Sequence, residues 1–299
     1  MVGKCFSHMK NLSSRPALFF LIFILTLIGC SSKKIIKTPV NVQISQENHN
    51  GELPNLVYDT SQTPTKTLRV AFHVFQHSSG QRSFNNNEPD LAFFRNTIDR
   101  TNHLLENLQP LLPLNSAEIT SPYIKDSRIK LQLDTIYFRI DDEIYEGFSQ
   151  AGIVYQHART AHTRHVIQNH QLSDLQKHRT LHVIVAGTWN THGGQVSGIG
   201  NKDFILFKGW YDRFAQGNTD GCFNTFIHEL GHSFGLLHMF APDNCHHCMD
   251  LGCFERGETN NIMSLSPSKL NAISLCQFQI AHEYLSGKKG NIGDVVIEN

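Results

Sequence analysis

The sequence carries no surplus of either charge: 26 Lys and Arg stand against 26 Asp and Glu in 299 residues. It has no basic stripe or tail, so the electrostatic footprint of a nucleic-acid binder is missing. It also lacks an apolar run of about 20 residues, the length a membrane-crossing helix needs. The run Ala17 to Ile28 is only 12 residues long. There is no cysteine between Cys30 and Cys222, which excludes a pro-segment thiol as a latch on a downstream metal. Acidic residues are sparse after residue 238. Asp243 and Asp250 are the nearby ones, so no Asp-rich calcium segment is evident.

Histidine, in contrast, is abundant, with 18 copies. Three of them fall in one eleven-residue run, His228-Glu-Leu-Gly-His232-Ser-Phe-Gly235-Leu-Leu-His238. Histidines four apart share one face of a helix, one turn apart, and can close on one ion. Zinc–imidazole bonds of about 2.0–2.1 Å suit that spacing. Glu229 follows the first of them, beside the metal and not on it. There it can take a proton from water and pass it to a leaving amine. Zinc lowers the pKa of a coordinated water to about 7, so that chemistry runs at neutral pH. Gly235 can take a positive φ, end the helix and turn the chain, which brings His238 back as third ligand. Three histidines leave a fourth coordination position open, the mark of a catalytic site. The run therefore predicts one catalytic Zn2+ and a peptidase. The pairs His162/His165 and His157/His170 read as surface histidines of a polar helix.

At these residues the sequence resembles the metzincin clan of zinc endopeptidases, most closely the pappalysin (cytophagalysin-like) family. That clan carries a methionine turn beneath the metal. Asn260-Asn261-Ile262-Met263-Ser264 is the candidate, and Met249 is its rival. The segment His238-Met-Phe, with Cys245 a few residues on, adds to the resemblance. So do Leu68 to Phe75 as opening strand, Phe93 to Leu108 as first helix and Leu181 to Val185 as the strand before the active helix. The resemblance covers about residues 67–287, strongly at 222–264. It implies an edge strand that pairs with extended substrate, placed at Gly194, Gln195, Val196, Ser197, Gly198 and Ile199; a plain flexible loop is the alternative there. It departs at Ser264-Leu265-Ser266, where many relatives carry a tyrosine that holds the oxyanion.

Lys4, Lys10 and Arg15 precede the apolar run, and Leu27-Ile28-Gly29-Cys30 follows. This looks like a bacterial lipoprotein signal over 1–29, with Cys30 as the lipidated residue. Ser31 in place of Asp resembles an outer-membrane or cell-surface destination. Loss of those three cations from a balance of 26 against 26 leaves a net charge of −3. Residues 30–65 are polar, with Pro39, Pro54 and Pro64, and read as a tether or a short pro-segment.

Alternation predicts strands at Leu68–Val74 and Ile129–Leu133, and an apolar run predicts a buried strand over 181–186. Leu91, Phe94, Ile98, Leu105 and Leu108 share a helical face. A polar helix is expected over about 149–171 and a further strand over 203–207. Thr219 or Asp220 would cap the active helix, and Ser266-Pro267 would open a last one with Leu270, Ile273, Ile280 and Tyr284 inward. The expected fold is α+β: an upper lobe of mixed sheet and helices, a smaller irregular lower lobe with a C-terminal helix, and zinc in the cleft between. It spans 66–287, with a tail over 288–299.

Cys222, Cys245, Cys248, Cys253 and Cys276 are candidate disulfide partners in an exported chain. Spacing does not fix their connectivity; the resemblance favours Cys245 and Cys276 as participants. Cys245-His-His-Cys248 also reads as half a zinc knuckle that Cys253 and Cys276 would complete, but a second, structural ion is not expected. The reading is thus a lipid-anchored zinc endopeptidase acting on peptide or protein, with no nucleic-acid partner. The alternative is a surface module that binds peptide or glycan without catalysis. The oligomeric state is not encoded in any motif.

Overall fold

The computed structural model describes residues 57–112, 121–150, 180–188, 198–200, 204–238, 248, 259–264, 270–287 and 296–298, with backbone alone at 147–150, 199 and 296–298. All belong to one compact unit, residues 41–299. Its centre is a six-stranded mixed sheet. The strands are β1 (Thr65–Gln76), β2 (Ile129–Ile140), β3 (Thr180–Ala186), β4 (Gly198–Gly200), β5 (Phe204–Lys208) and β6 (Val296–Glu298). The order is β2-β1-β3-β5-β4, with β6 on β1. β1, β2, β3 and β5 are parallel; β4 runs antiparallel to β5 and β6 antiparallel to β1. Parallel neighbours need long crossovers, and helix α1 (Glu88–Glu106) supplies the one between β1 and β2.

β1 shows why the sequence alternates weakly here. Leu68, Val70, Phe72 and Val74 face one side and join the main core with Phe94 and Ile98 of α1. Phe75 faces the other side, with Ile184, Ala186, Leu206 and Ile144 of helix α2 (Asp142–Gln150). Both faces are covered, so both sets are apolar. Burying each large side chain contributes about 1.5–3 kcal/mol relative to leaving it in water. On that second face His73 and His182 approach to 3.0 Å, and Tyr137 stacks on His73. No periodicity in the sequence announces this pair.

The α+β class and the predicted strands match the architecture. Of the residues expected on α1, Phe94, Ile98 and Leu105 are buried, and Leu108 is buried just past the helix end. Asn87 caps α1 by accepting the Asp90 N–H. Residues outside 66–287 also make contacts. Val57 already bridges Tyr123, and Tyr58 packs edge-on to Phe278. At the other end, residues 296–298 supply a strand where a tail was expected.

Helix α3 (Trp210–Ala215) stacks Trp210 on Phe207 at 3.8 Å. Helix α4 (Thr219–Ser233) then carries the first two histidines of the motif. Its cap is Asn218, not Thr219 or Asp220: the Asn218 side chain accepts the Gly221 N–H. Helix α5 (Leu275–Leu285) starts at a Ser274 cap; Ser266 and Pro267, where a helix start was expected, lie outside the described residues. Asn271 and Ala272 donate their N–H groups to Asn260 O and so are not available to a helix. Leu270 and Ile273 are buried, but ahead of the helix. Residues 151–179, where most of the polar helix was expected, lie outside the described residues.

Candidate metal centre

α4 ends in a turn that the sequence dictates. Gly235 takes φ +79°, the left-handed region that glycine enters without a Cβ penalty. Gly235 N–H donates to His232 O and Leu236 N–H to Gly231 O, both at 3.0 Å. This paired closure satisfies the last helix carbonyls and reverses the chain. The reversal brings His238 back against His228 and His232. The Nε2 atom of His238 lies 3.0 Å from that of His228 and 2.9 Å from that of His232. One nitrogen from each of the three lies within 4.8 Å of the others, and among the described residues no other such group of three potential ligands occurs.

The other ring nitrogens fix how these rings point. His228 Nδ1 donates to Ile262 O and His232 Nδ1 to Leu236 O, both at 2.9 Å. A proton on Nδ1 leaves the Nε2 lone pair facing inward, the arrangement that metal-ligating histidines adopt. Burial pushes the His228 pKa down to about 3, helped by the charges of His232 and His238. Burial does the same to His238, down to about 4, and lowers His232. All three therefore present neutral imidazoles at pH 7. Nitrogens 2.0–2.1 Å from one ion in a tetrahedral site stand about 3.3 Å apart. The observed separations need to open by only a few tenths of an ångström, so the group fits a metal ion.

Glu229 is buried and lies on the side of α4 that meets the sheet edge. Its Oε2 accepts the Gly200 N–H of β4. The strand comes so close that a Cβ at Gly198 would stand 2.7 Å from Glu229 Cγ, and one at Gly200 2.7 Å from His232 Cβ. Glycine at these two positions is a close-approach requirement. β4 lies at the end of the described strand order, paired with β5. Of the segment 194–199 expected as a substrate edge strand it holds Gly198 and Ile199, and 194–197 lie outside the described residues.

Met263 sits on the opposite side, fully buried, and a Cβ on Gly231 would run into its sulfur. Its turn is pinned from several directions. Asn261 Oδ1 accepts the Met263 N–H at 2.9 Å, and Ile262 N–H donates to Ala272 O at 3.0 Å. Asn260 Nδ2 donates to Pro110 O, and Asn260 Oδ1 accepts the Leu112 N–H. Met249, the rival, lies outside the described residues.

Among the cysteines, Cys276 pairs with Cys248 in a disulfide, 28 residues apart. Cys222 corrects the expectation: it is a buried free thiol on the first turn of α4, directed at Trp210 O. Core packing encloses it, and burial pushes its pKa up to about 12. Cys30, Cys245 and Cys253 lie outside the described residues. With Cys248 and Cys276 joined, the structural-zinc alternative loses two of its four thiols.

The sequence placed Asn261 in the methionine turn but gave no sign of its partner Gln277 or of the Gly200 contact with Glu229. A capping-box signal, Ser274-x-x-Gln277, was present and marks the true start of α5.

No protein-family model matches the chain, and no curated protein matches it. Among solved structures the chain is similar to mirolysin in a complex with compound 9, at 14% identity and a TM-score of 0.43, over 77% of this chain and 95% of that one. At that distance, function rests on the site itself.

Proposed function

We propose that the chain is a zinc-dependent endopeptidase of metzincin type, exported and anchored to a bacterial membrane through Cys30. The observation that carries the reading is the convergence of three histidine Nε2 atoms beside a buried carboxylate, with two of the rings oriented by backbone carbonyls. Histidine nitrogen donors in a three-ligand set favour zinc with an open position. His228, His232 and His238 hold the ion. Bound there, zinc supplies Lewis acidity to the attacking water and the scissile carbonyl.

Glu229 takes the proton of the attacking water on its carboxylate and returns it to the leaving amine nitrogen. The C–N bond breaks without a covalent acyl intermediate on the protein. Met263 supports the histidines from below and is not a ligand. β4, at the sheet edge beside Glu229, receives the substrate main chain. The Ser264 segment has no tyrosine to assist the oxyanion; a zinc ion held by the three histidines would supply that stabilisation.

Metal content and cleavage of a peptide library by purified protein test the reading. The wild type binds one zinc and cleaves in a chelator-sensitive way. Glu229→Ala keeps the zinc and loses about 10²- to 10⁴-fold in rate. A mutant that cleaves as fast as the wild type overturns the mechanism.

A further inference from the structure

We infer that Gln277 is a positioning residue for the metal ligand His228, acting through Asn261 and the turn that follows it. The inference rests on the metal site proposed above.

Gln277 is 3% exposed, on the first turn of α5. A glutamine in that place ordinarily closes its own helix cap. Here its Oε1 does so, accepting the Ser274 N–H at 3.0 Å. The same amide also leaves the helix. Oε1 accepts from Asn261 Nδ2 at 2.7 Å, and Nε2 donates to Asn261 Oδ1 at 3.2 Å. The two amides thus face each other with both hydrogen bonds made, which fixes the orientation of each. Asn261 is fully buried, so neither amide has water as a substitute.

Asn261 passes that constraint on. Its Oδ1 also accepts the Met263 N–H at 2.9 Å, which sets the backbone on both sides of Ile262. Ile262 O is the acceptor for His228 Nδ1 at 2.9 Å. A displaced Ile262 carbonyl frees His228 to rotate or to change tautomer, and its Nε2 then no longer points at the metal. No side chain at position 262 can substitute, because the acceptor is backbone. The orientation of His228 therefore depends on a residue 49 positions away, on a helix that contributes no ligand.

Loss of a group that orients a metal ligand typically weakens the metal by about 10- to 100-fold. Gln277 acts one link further back, so about tenfold is expected. Zinc affinity is read by chelator competition on the purified chain, and thermal unfolding is followed with and without metal. Gln277→Leu raises the zinc dissociation constant about tenfold and shrinks the rise in Tm that zinc produces. Gln277→Glu keeps the acceptor for Ser274 and Asn261 Nδ2 but sets an acceptor oxygen against Asn261 Oδ1 in place of the donor; it weakens zinc as well and carries the test if the leucine variant does not fold. Ser274→Ala is the control. It removes the hydroxyl that accepts the Gln277 N–H at 3.2 Å but leaves the amide pair intact. It lowers the Tm of the metal-free protein and leaves zinc affinity within about twofold.

Equal zinc affinity in wild type, Gln277→Leu and Gln277→Glu overturns the inference. So does a loss in Ser274→Ala as large as in the Gln277 variants, which would make the effect one of helix stability. A wild type that binds no zinc overturns the metal site itself, a different result from either.

Discussion

Replacing Gly235 with alanine tests the turn that delivers the third histidine. Two separate costs meet at this position. The first is conformational. At φ +79° an alanine Cβ crowds the following carbonyl, which costs about 1–2 kcal/mol. The second is steric. The new Cβ would stand 2.8 Å from Tyr284 Cδ2 on α5, and overpacking of that kind costs about 1–3 kcal/mol. Tyr284 is buried and its ring is not the free end of a flexible chain, so the turn and not the ring has to give. Together the costs are about 2–5 kcal/mol, and in a domain of this size each kcal/mol lowers Tm by about 2–4 °C. A fall near 10 °C is expected in the metal-free protein. Because the same turn places His238, zinc affinity falls as well. Gly235→Asn separates the two costs, since asparagine tolerates the left-handed region but still meets Tyr284. It should lie between wild type and alanine. Differential scanning calorimetry with and without zinc reads all three. An alanine variant that melts and binds zinc like the wild type would refute both the turn geometry and its link to His238.

Other outcomes follow from single contacts. Cys222, buried and with its thiol pushed up to about 12, stays unmodified by iodoacetamide in the folded protein and reacts on unfolding. Reduction of Cys248–Cys276 reopens a loop of 28 residues and costs about 3–4 kcal/mol in the chain-entropy view, read as a shift of the urea midpoint. Burial lowers the His282 pKa, although its Nε2 donates to Ser127 O. The unfolded chain then binds a proton that the folded one refuses, so stability falls as pH drops below about 6.5. His282→Leu, unfolded in urea at pH 7 and at pH 5, should show a smaller loss between the two than the wild type. Ile262→Val costs about 0.5–1.5 kcal/mol in stability but leaves zinc affinity unchanged, because the acceptor for His228 is a carbonyl and not the side chain.

The ligand run was legible because metal geometry restricts spacing. His228 and His232 need one helical turn between them, and His238 needs a glycine before it. The strands were legible for different reasons: β1 through the alternation of Leu68, Val70, Phe72 and Val74, and β3 as a short apolar run because both its faces are covered. Ser266 and Pro267 lie outside the described residues; the start of α5 at Ser274 was passed over because Asn271 and Ala272 pair with Asn260 O across the fold, which the local sequence does not reveal. Cys222 stood among the five disulfide candidates because a cysteine count carries no information about which thiol the core encloses. The Asn261–Gln277 amide pair lies 16 residues apart with no shared periodicity, and only packing brings it together.

The division of labour around the site explains that uneven legibility. A helix places two imidazoles in space through its backbone, and sequence spacing reports that directly. It does not fix how each ring is turned. That is done by two carbonyls, Leu236 O from the turn closed at Gly235 and Ile262 O from the turn held by Asn261. Carbonyls belong to every residue, so no motif can encode them. What the sequence does encode is the side chains that hold those two turns in place: a glycine for one, and an asparagine answered by a distant glutamine for the other. Ligand position is therefore written in the motif, while ligand orientation is written in residues outside it.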